Sequence, residues 1–405
     1  MKQIQELIKE RKQRGYQMAM QEKPICKDGV WLVRSQINPR KTYRVSLTLE
    51  GSVCDCEDYI GRGLKCKHAF AVEYTITKTT DNKGMTTITE TKRMTYPQNW
   101  KAYNMASERQ KELYLKLLND LCNTVKEPIQ EGAGRPSMPL RDMIFASGLK
   151  VYSTFSLRRF GTDKKEAVAK GYLQKAPEFS TVAYYMRDEN LTPVLKGLIA
   201  LSALPLKAVE SSFSIDSSGF TPAKFSRWYD HKYKKVRGRK IWYKAHLVVG
   251  NNTQIVCGAE ITTEYVGDMN MLPEMVQSVS RNFDMKELTA DKGYISDKNL
   301  ICLQGLGIQS YIPFKSNTVA NNEKKSEIWR NAYNYFCFNQ EAFLEHYHQR
   351  SNIETAMFMI KSKFGDYTRS KTDTACINEI LLKILSHNIC CLIQEMFELG
   401  IEVHF

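Results

Sequence analysis

YHQRSNIETAMFMIK, residues 347–361, places Tyr347, Arg350, Glu354 and Lys361 at offsets of three, seven and fourteen. At 3.6 residues per turn these positions fall within an arc of roughly 60°. One helix across the stretch therefore carries a phenol, a carboxylate and two cations along one stripe. Alone, such a stripe reads as a solvated ion-pair ladder. Two upstream aspartates change the reading. Asp216 lies inside SSFSIDSSGF (211–220), and Asp291 ends KELTAD (286–291). Three acids from separated segments suggest a metal site.

The segments around these acids set the fold class. SSFSIDSSGF, IWYKAHLVVG (241–250) and TQIVCGAEITTEY (253–265) read as strands, the last two linked at Asn251-Asn252. DMNMLPEMVQSVSRNF (268–283) and SDKNLICLQGL (296–306) have helical spacing, whereas KELTAD and IQSYIPF (308–314) read as strands. Three strands followed by αβαβα imply an α/β fold, a mixed sheet flanked by helices. Ligands of such sheets gather at strand ends, where Asp216 and Asp291 can converge with Glu354.

Three carboxylates brought together repel one another unless cations hold them. An all-oxygen donor set suits Mg²⁺ or Mn²⁺ rather than zinc. Two such ions about 4 Å apart are the usual arrangement for phosphodiester cleavage. Arg350 and Lys361 then sit beside the acids, placed to hold phosphates.

A second constellation lies upstream, in CDCEDYIGRGLKCKH (54–68). Cys54 and Cys56 are one residue apart, and so are Cys66 and His68. Three thiolates and an imidazole suit tetrahedral zinc with no position left open for a catalytic water. Strand alternation puts Cys54 and Cys56 on one face, and Gly61 and Gly63 let an intervening loop fold back. The preceding segments 30–37 and 42–53 are β-like, with a turn at Asn38-Pro39.

The 405-residue chain is too long for one ordinary core, so about two or three domains are expected. With 42% hydrophobic and 25% charged residues it reads as a globular chain, not a disordered one. A formal charge of +14 and a pI near 9.1 favour a polyanionic partner, nucleic acid first. No apolar run reaches a membrane-spanning length and the N-terminus is not a secretory signal, so a cytoplasmic protein without membrane contact is expected. The eleven cysteines fit a reducing compartment. The boundaries read as 1–95 for a zinc-binding module with an N-terminal helix bearing Ile4, Leu7 and Ile8, 96–205 for a helical region, and 206–405 for the mixed sheet. The helical region is either a DNA-binding unit or a packing layer. Gly134-Arg135-Pro136 reads either as a linker or as a minor-groove arm.

Between Lys224 and Lys244, nine Lys and Arg residues, Lys234, Lys235, Arg237, Arg239 and Lys240 among them, face a single acid, Asp230. Phe225, Trp228, Tyr229, Tyr233 and Trp242 are interleaved, a composition suited to backbone tracking and base stacking. His246, His387 and Asn388 read as satisfied core polar groups, and Trp329 as core packing.

The spacing Tyr347, Arg350, Glu354, Lys361 resembles Y-x2-R-x3-E-x6-K, the signature of a group of DDE insertion-sequence transposases. Asp291-Lys-Gly-Tyr294 resembles their second-aspartate motif, and Phe213 to Phe220 the strand bearing the first. The resemblance spans about 134–400. It implies an RNase H-like core, hydrolysis at transposon ends to free 3′-hydroxyls, and attack of these on target DNA. It implies that Asp216, Asp291 and Glu354 hold Mg²⁺ or Mn²⁺, two ions per site, and that Tyr347, Arg350 and Lys361 contact end phosphates. Synapsis of two ends implies a homodimer on DNA. The interval from Asp291 to Glu354 lacks the long β-rich insertion of the group's best-studied members. The Cys54–His68 pattern resembles the SWIM-type zinc finger, C-x-C-x(n)-C-x-H, which implies one structural Zn²⁺ and contact with DNA or protein. A different class remains open: a transposase-derived DNA-binding regulator without catalysis.

Overall fold

The computed structural model describes residues 10–405 except 16, 20–21, 23, 28–29, 37, 39–40, 49–50, 63, 81–85, 91–98, 130–136, 223–241, 316–317 and 319–324. Lys234, Lys235, Arg237, Arg239 and Lys240, the Gly134-Arg135-Pro136 tripeptide, and Ile4, Leu7 and Ile8 lie outside the described residues. Contacts divide the chain into two compact units, 1–98 and 99–405.

In the first unit four strands form an antiparallel meander: β1 (Ile25–Lys27), β2 (Val30–Arg34), β3 (Thr42–Thr48) and β4 (Gly51–Cys54). Two helices follow, α1 (Glu57–Arg62) and α2 (Lys67–Thr75). Trp31, Val33 and Val45 from alternate sheet positions bury against Ala69, Ala71 and Val72 of α2. A two-stranded antiparallel ribbon, β5 (Ile76–Thr80) with β6 (Thr86–Glu90), comes next.

The second unit opens with helices α3 (Trp100–Asn123), α4 (Leu140–Tyr152), α5 (Gly161–Ala169), α6 (Phe179–Tyr185) and α7 (Leu191–Ala203). Asn99 caps α3 by accepting from the Ala102 N–H at 3.1 Å, which starts that helix earlier than apolar spacing alone indicates. Then come β7 (Ser212–Pro222), β8 (Tyr243–Gly250), β9 (Val256–Thr263), α8 (Asp268–Ser280), β10 (Glu287–Ala290), α9 (Asp297–Gly305) and β11 (Gln309–Tyr311). The chain closes with α10 (Glu327–Phe338), α11 (Gln340–Tyr347), α12 (Ser351–Phe364), β12 (Tyr367–Thr368) and α13 (Asp373–Glu398).

The sheet runs β11-β10-β7-β8-β9, with β12 paired to the far end of β7. β7, β8 and β9 are antiparallel, whereas β10 and β11 join parallel to β7. That order and sense make the RNase H-like arrangement. β8 is apolar almost throughout because it is central and covered on both faces. Gly219 of β7 is required where it stands, since a Cβ there would meet the Trp242 ring at 2.8 Å.

α13 is the core helix. It packs on α7, α3 and α4, and its Asn388 bridges to the sheet by accepting from the Val256 N–H at 2.9 Å and donating to the Val256 carbonyl at 2.7 Å. This helix is long and apolar enough to cross a membrane, a feature the run-length reading of the sequence passed over. Yet 89% of its apolar window is buried inside the fold. The same packing merges the helices of 100–203 and the sheet into one unit, where the sequence reading drew a boundary near 205.

Candidate active site

The parallel pairing of β7 and β10 positions the two aspartates. Ile215 lies opposite Ala290 in the register, and these are the last paired residues. Asp216 and Asp291 are each the next residue along, so they lie side by side at the carboxyl end of β10, Asp216 still within β7 opposite Leu247 of β8 and Asp291 just past its strand. Beyond that point β7 has no partner on this edge until β12 pairs Thr221 and Pro222. α12 packs against β7 beside this gap.

α12 buries Ile353, Ala356, Met357, Ile360 and Phe364, spaced as one helical face. Glu354 and Lys361 fall on another face. Gly365, at φ +85°, ends the helix. The stretch read as one helix from Tyr347 to Lys361 is in fact interrupted. α11 ends at Tyr347, a 3₁₀ turn covers His348–Arg350, and α12 begins at Ser351. Gln349 explains the break, because this turn is tied to the sheet. Its side-chain oxygen accepts from Ser212 Oγ at 2.7 Å and from Asn251 Nδ2 at 3.3 Å. Ser214 Oγ bonds both Asn251 and Thr289 at 2.6 Å, so one polar network joins the turn, β7 and β10. Gln349 carried no signal in the sequence beyond its place inside the motif.

Arg350 Nη1 donates to Asp216 Oδ2 at 2.8 Å, and Nη2 donates to Glu354 Oε1 one helical turn on. One guanidinium thus spans the first aspartate and the glutamate. Lys361 Nζ donates to Ser218 Oγ at 2.7 Å and lies 5.2 Å from the Phe220 ring. Burial lowers the Lys361 pKa. Burial also raises the Asp216 carboxyl above its ordinary range, against the Ser217 N–H and Arg350, while Asp291 and Asp268 push the same way as burial. Burial raises the Tyr347 phenol too, and both aspartates add to that rise, which puts Tyr347 beside the acids.

Asp268 is a fourth acid at this end of the sheet. It accepts from Lys244 Nζ at 3.1 Å, and His246 Nδ1 is 3.5 Å away. His246 is fully buried, and burial lowers it to about 4, so it is neutral at pH 7. Its Nε2 pairs with Thr262 Oγ1 at 2.9 Å, but among the described residues its buried Nδ1 has no hydrogen-bond partner, so the reading of His246 as a satisfied core group holds only in part. His387 and Asn388 are satisfied in the core, and Trp329 is buried against Phe314. The sequence signal for Asp268 was its place as the first residue of a helix.

Among the described residues, only Cys54, Cys56, Cys66 and His68 bring three or more donor atoms within 4.8 Å of one another. All four are buried. His68 Nδ1 is 3.9 Å from both Cys54 Sγ and Cys66 Sγ. A tetrahedral ion about 2.3 Å from each sulfur needs donors roughly 3.8 Å apart, so the set fits zinc. The local route differs from the strand reading. β4 ends at Cys54, Cys56 lies beyond it, and Gly61 is inside α1 rather than in a loop. Cys66 and His68 are set by the start of α2. The Cys54 hydrogen bond pulls the Cys66 thiol well down, and Cys54 itself is raised, as for thiols sharing protons.

The three carboxylates are not collapsed on one point in this way. Their all-oxygen chemistry fits Mg²⁺ or Mn²⁺, and a cation, Arg350, already stands between two of them.

A family model described as the transposase DDE domain matches residues 207–389. The chain carries a transposase DDE domain. Its limits enclose Asp216, Asp291, Tyr347, Arg350, Glu354 and Lys361. A second family model, the SWIM zinc finger, matches residues 43–76 and encloses the Cys3His cluster. A solved structure titled "Cryo-EM structure of piggyBac transposase synaptic complex with hairpin DNA" is 12% identical, with 73% of this chain and 74% of that chain covered. The TM-score is 0.34. No curated protein matches the chain.

Proposed function

We propose that the DDE domain cuts DNA at transposon ends and joins the freed 3′-hydroxyls to target DNA, using Asp216, Asp291 and Glu354 as divalent-metal ligands. The observation that carries the proposal is the pairing of Ile215 with Ala290, which sets Asp216 and Asp291 side by side on adjacent parallel segments, together with the guanidinium linking Asp216 to Glu354. Mg²⁺ or Mn²⁺, two per site, would activate the attacking oxygen and steady the leaving oxygen. Everything else falls to the chain. Arg350 and Lys361 supply positive charge for the scissile strand's phosphates, with Tyr347 beside them as a hydrogen-bond donor. Gln349, through Ser212 and Asn251, fixes the turn that carries Arg350 relative to the aspartates.

DNA is the proposed partner, with a homodimer joining two ends, and the zinc finger is a structural module bearing one Zn²⁺. The test is cleavage of the inverted repeats that flank the gene. Wild-type protein with Mg²⁺ should nick at the repeat ends and form joined product, and Asp216→Ala should do neither. Repeat binding by both proteins, with no metal-dependent nicking by either, would replace this reading with that of a DNA-binding regulator.

A further inference from the structure

The second unit holds a cationic cavity outside the acid triad. It has a volume of about 210 Å³. Lys150 of α4, Lys363 in the last turn of α12, Arg369, and Lys383 of α13 line it, with Glu379 as the one acid in the lining. Four positive charges less one negative leave three in excess. The buried part is already unbalanced. Lys150 Nζ pairs with Glu379 Oε1 at 3.3 Å, both side chains almost wholly buried. Glu379 Oε2 is occupied by the N–H groups of Arg369 and Ser370 and by the Ser370 hydroxyl. Lys383 has no carboxylate partner among the described residues and donates to the carbonyls of Gly365 at 2.9 Å and Tyr367 at 2.5 Å. Burial pulls Lys383 down to about 8 although Glu379 works against it, as expected where positive charge is not fully neutralised.

Two more observations point to a ligand. Thr154, which lines the cavity, has φ +55°. A β-branched residue in the left-handed region is strained, and such strain collects at binding sites. The cavity also continues the catalytic stripe. Lys361 and Lys383 both lie over the Phe220 ring, at 5.2 and 5.7 Å. A row of positive charge therefore runs from Arg350 through Lys361 to this cavity.

We propose that the cavity is a phosphate subsite that grips the DNA backbone beyond Lys361, away from the acids. This rests on the reading of DNA as the partner. Lys150 and Lys383 supply fixed charge from below, and Lys363 and Arg369, both exposed, close on the diester oxygens from the rim. A free phosphate shares this chemistry, so the test separates the two.

The experiment measures binding of full-length protein to a duplex bearing the terminal repeat, by fluorescence anisotropy at several salt concentrations. Lys363→Gln/Arg369→Gln removes the two rim cations, with the Lys363 hydrogen bonds to Gln110 and Cys390, and leaves no buried charge unpaired. A charge control, Lys175→Gln/Lys207→Gln, removes two other exposed lysines. Each lost phosphate contact lowers the slope of log K against log salt by roughly 0.9, so the rim variant should lose about 2 in slope and at least about tenfold in affinity at low salt. The control should keep its slope. An unchanged slope in the rim variant, or an equal loss in the control, overturns the subsite while the DNA reading stands. Wild-type protein that binds no duplex overturns the DNA reading and the subsite with it. Inorganic phosphate should displace DNA no better than chloride of matched ionic strength, and specific displacement by phosphate would assign the cavity to free phosphate instead.

Discussion

Arg350 and Asp216 lie 134 positions apart in the chain, yet Arg350 Nη1 sits 2.8 Å from Asp216 Oδ2. The guanidinium stands between the first aspartate and Glu354, where the proposed divalent ion would bind. Its removal should therefore separate two roles. Arg350→Gln should bind Mn²⁺ in the DNA-free protein more tightly than wild type, by titration calorimetry, because no resident cation must be displaced. The same variant should cleave DNA more slowly, since a phosphate-holding charge is lost. Weaker Mn²⁺ binding by Arg350→Gln would show that the arginine organises the acids rather than competing for them.

Asp216 gives a pH signature. Burial raises its folded-state pKa, so its charged form works against the fold. Such a group stabilises the fold below its unfolded value, near 3.8, and that contribution is lost as pH rises through the folded value. Asp216→Asn should accordingly melt higher than wild type at pH 7 without metal, and the gap should close as the pH falls toward 4. Mg²⁺ should raise the wild-type melting temperature and leave Asp216→Asn unmoved.

Gln349 touches no acid, and its effect is positional. Gln349→Ala costs about 1–3 kcal/mol by leaving Ser212 Oγ without its acceptor, while Asn251 Nδ2 keeps its bond to Ser212 Oγ. Cleavage should fall further than stability explains, because the turn before Arg350 loses its tether. Cleavage that tracks only the folded fraction would reduce Gln349 to a structural residue.

Lys150 and Glu379 form a buried pair. Lys150→Met should destabilise the second unit by about 3–5 kcal/mol, since Glu379 keeps its charge in a dry site. Lys150→Met/Glu379→Gln should recover a large part of that loss in urea melts.

The first unit has a small core, a handful of apolar residues around the Cys3His cluster. Folded units of this size depend on a staple. Cys66→Ser/His68→Ala should lose bound zinc by elemental analysis and unfold residues 1–98, while the melting transition of 99–405 stays in place. Retention of near-stoichiometric zinc would mean that the ion binds elsewhere.

The site was legible where chemistry dictates spacing. The i, i+4 relation of Arg350 and Glu354 and the ligand pairs Cys54/Cys56 and Cys66/His68 follow from local geometry, and the sequence carried them. Strand order was legible in part, because Asp216 and Asp291 interrupt apolar runs that must pair. What the sequence concealed depends on partners far along the chain. The break at His348–Arg350 is imposed by Ser212 and Asn251. The burial of α13 is imposed by three other helices, and the cationic cavity gathers residues from α4, α12 and α13. Asp268 gave little signal because an acid that starts a helix is ordinary.

The most direct test is anomalous scattering from Mn²⁺ in crystals of the protein with a transposon-end duplex. The account predicts Mn²⁺ at about 2.1 Å from oxygens of Asp216, Asp291 and Glu354, with the Arg350 guanidinium moved off Asp216 toward a phosphate. Mn²⁺ held by the aspartates alone, with Glu354 still bonded to Arg350 beside bound DNA, would contradict it.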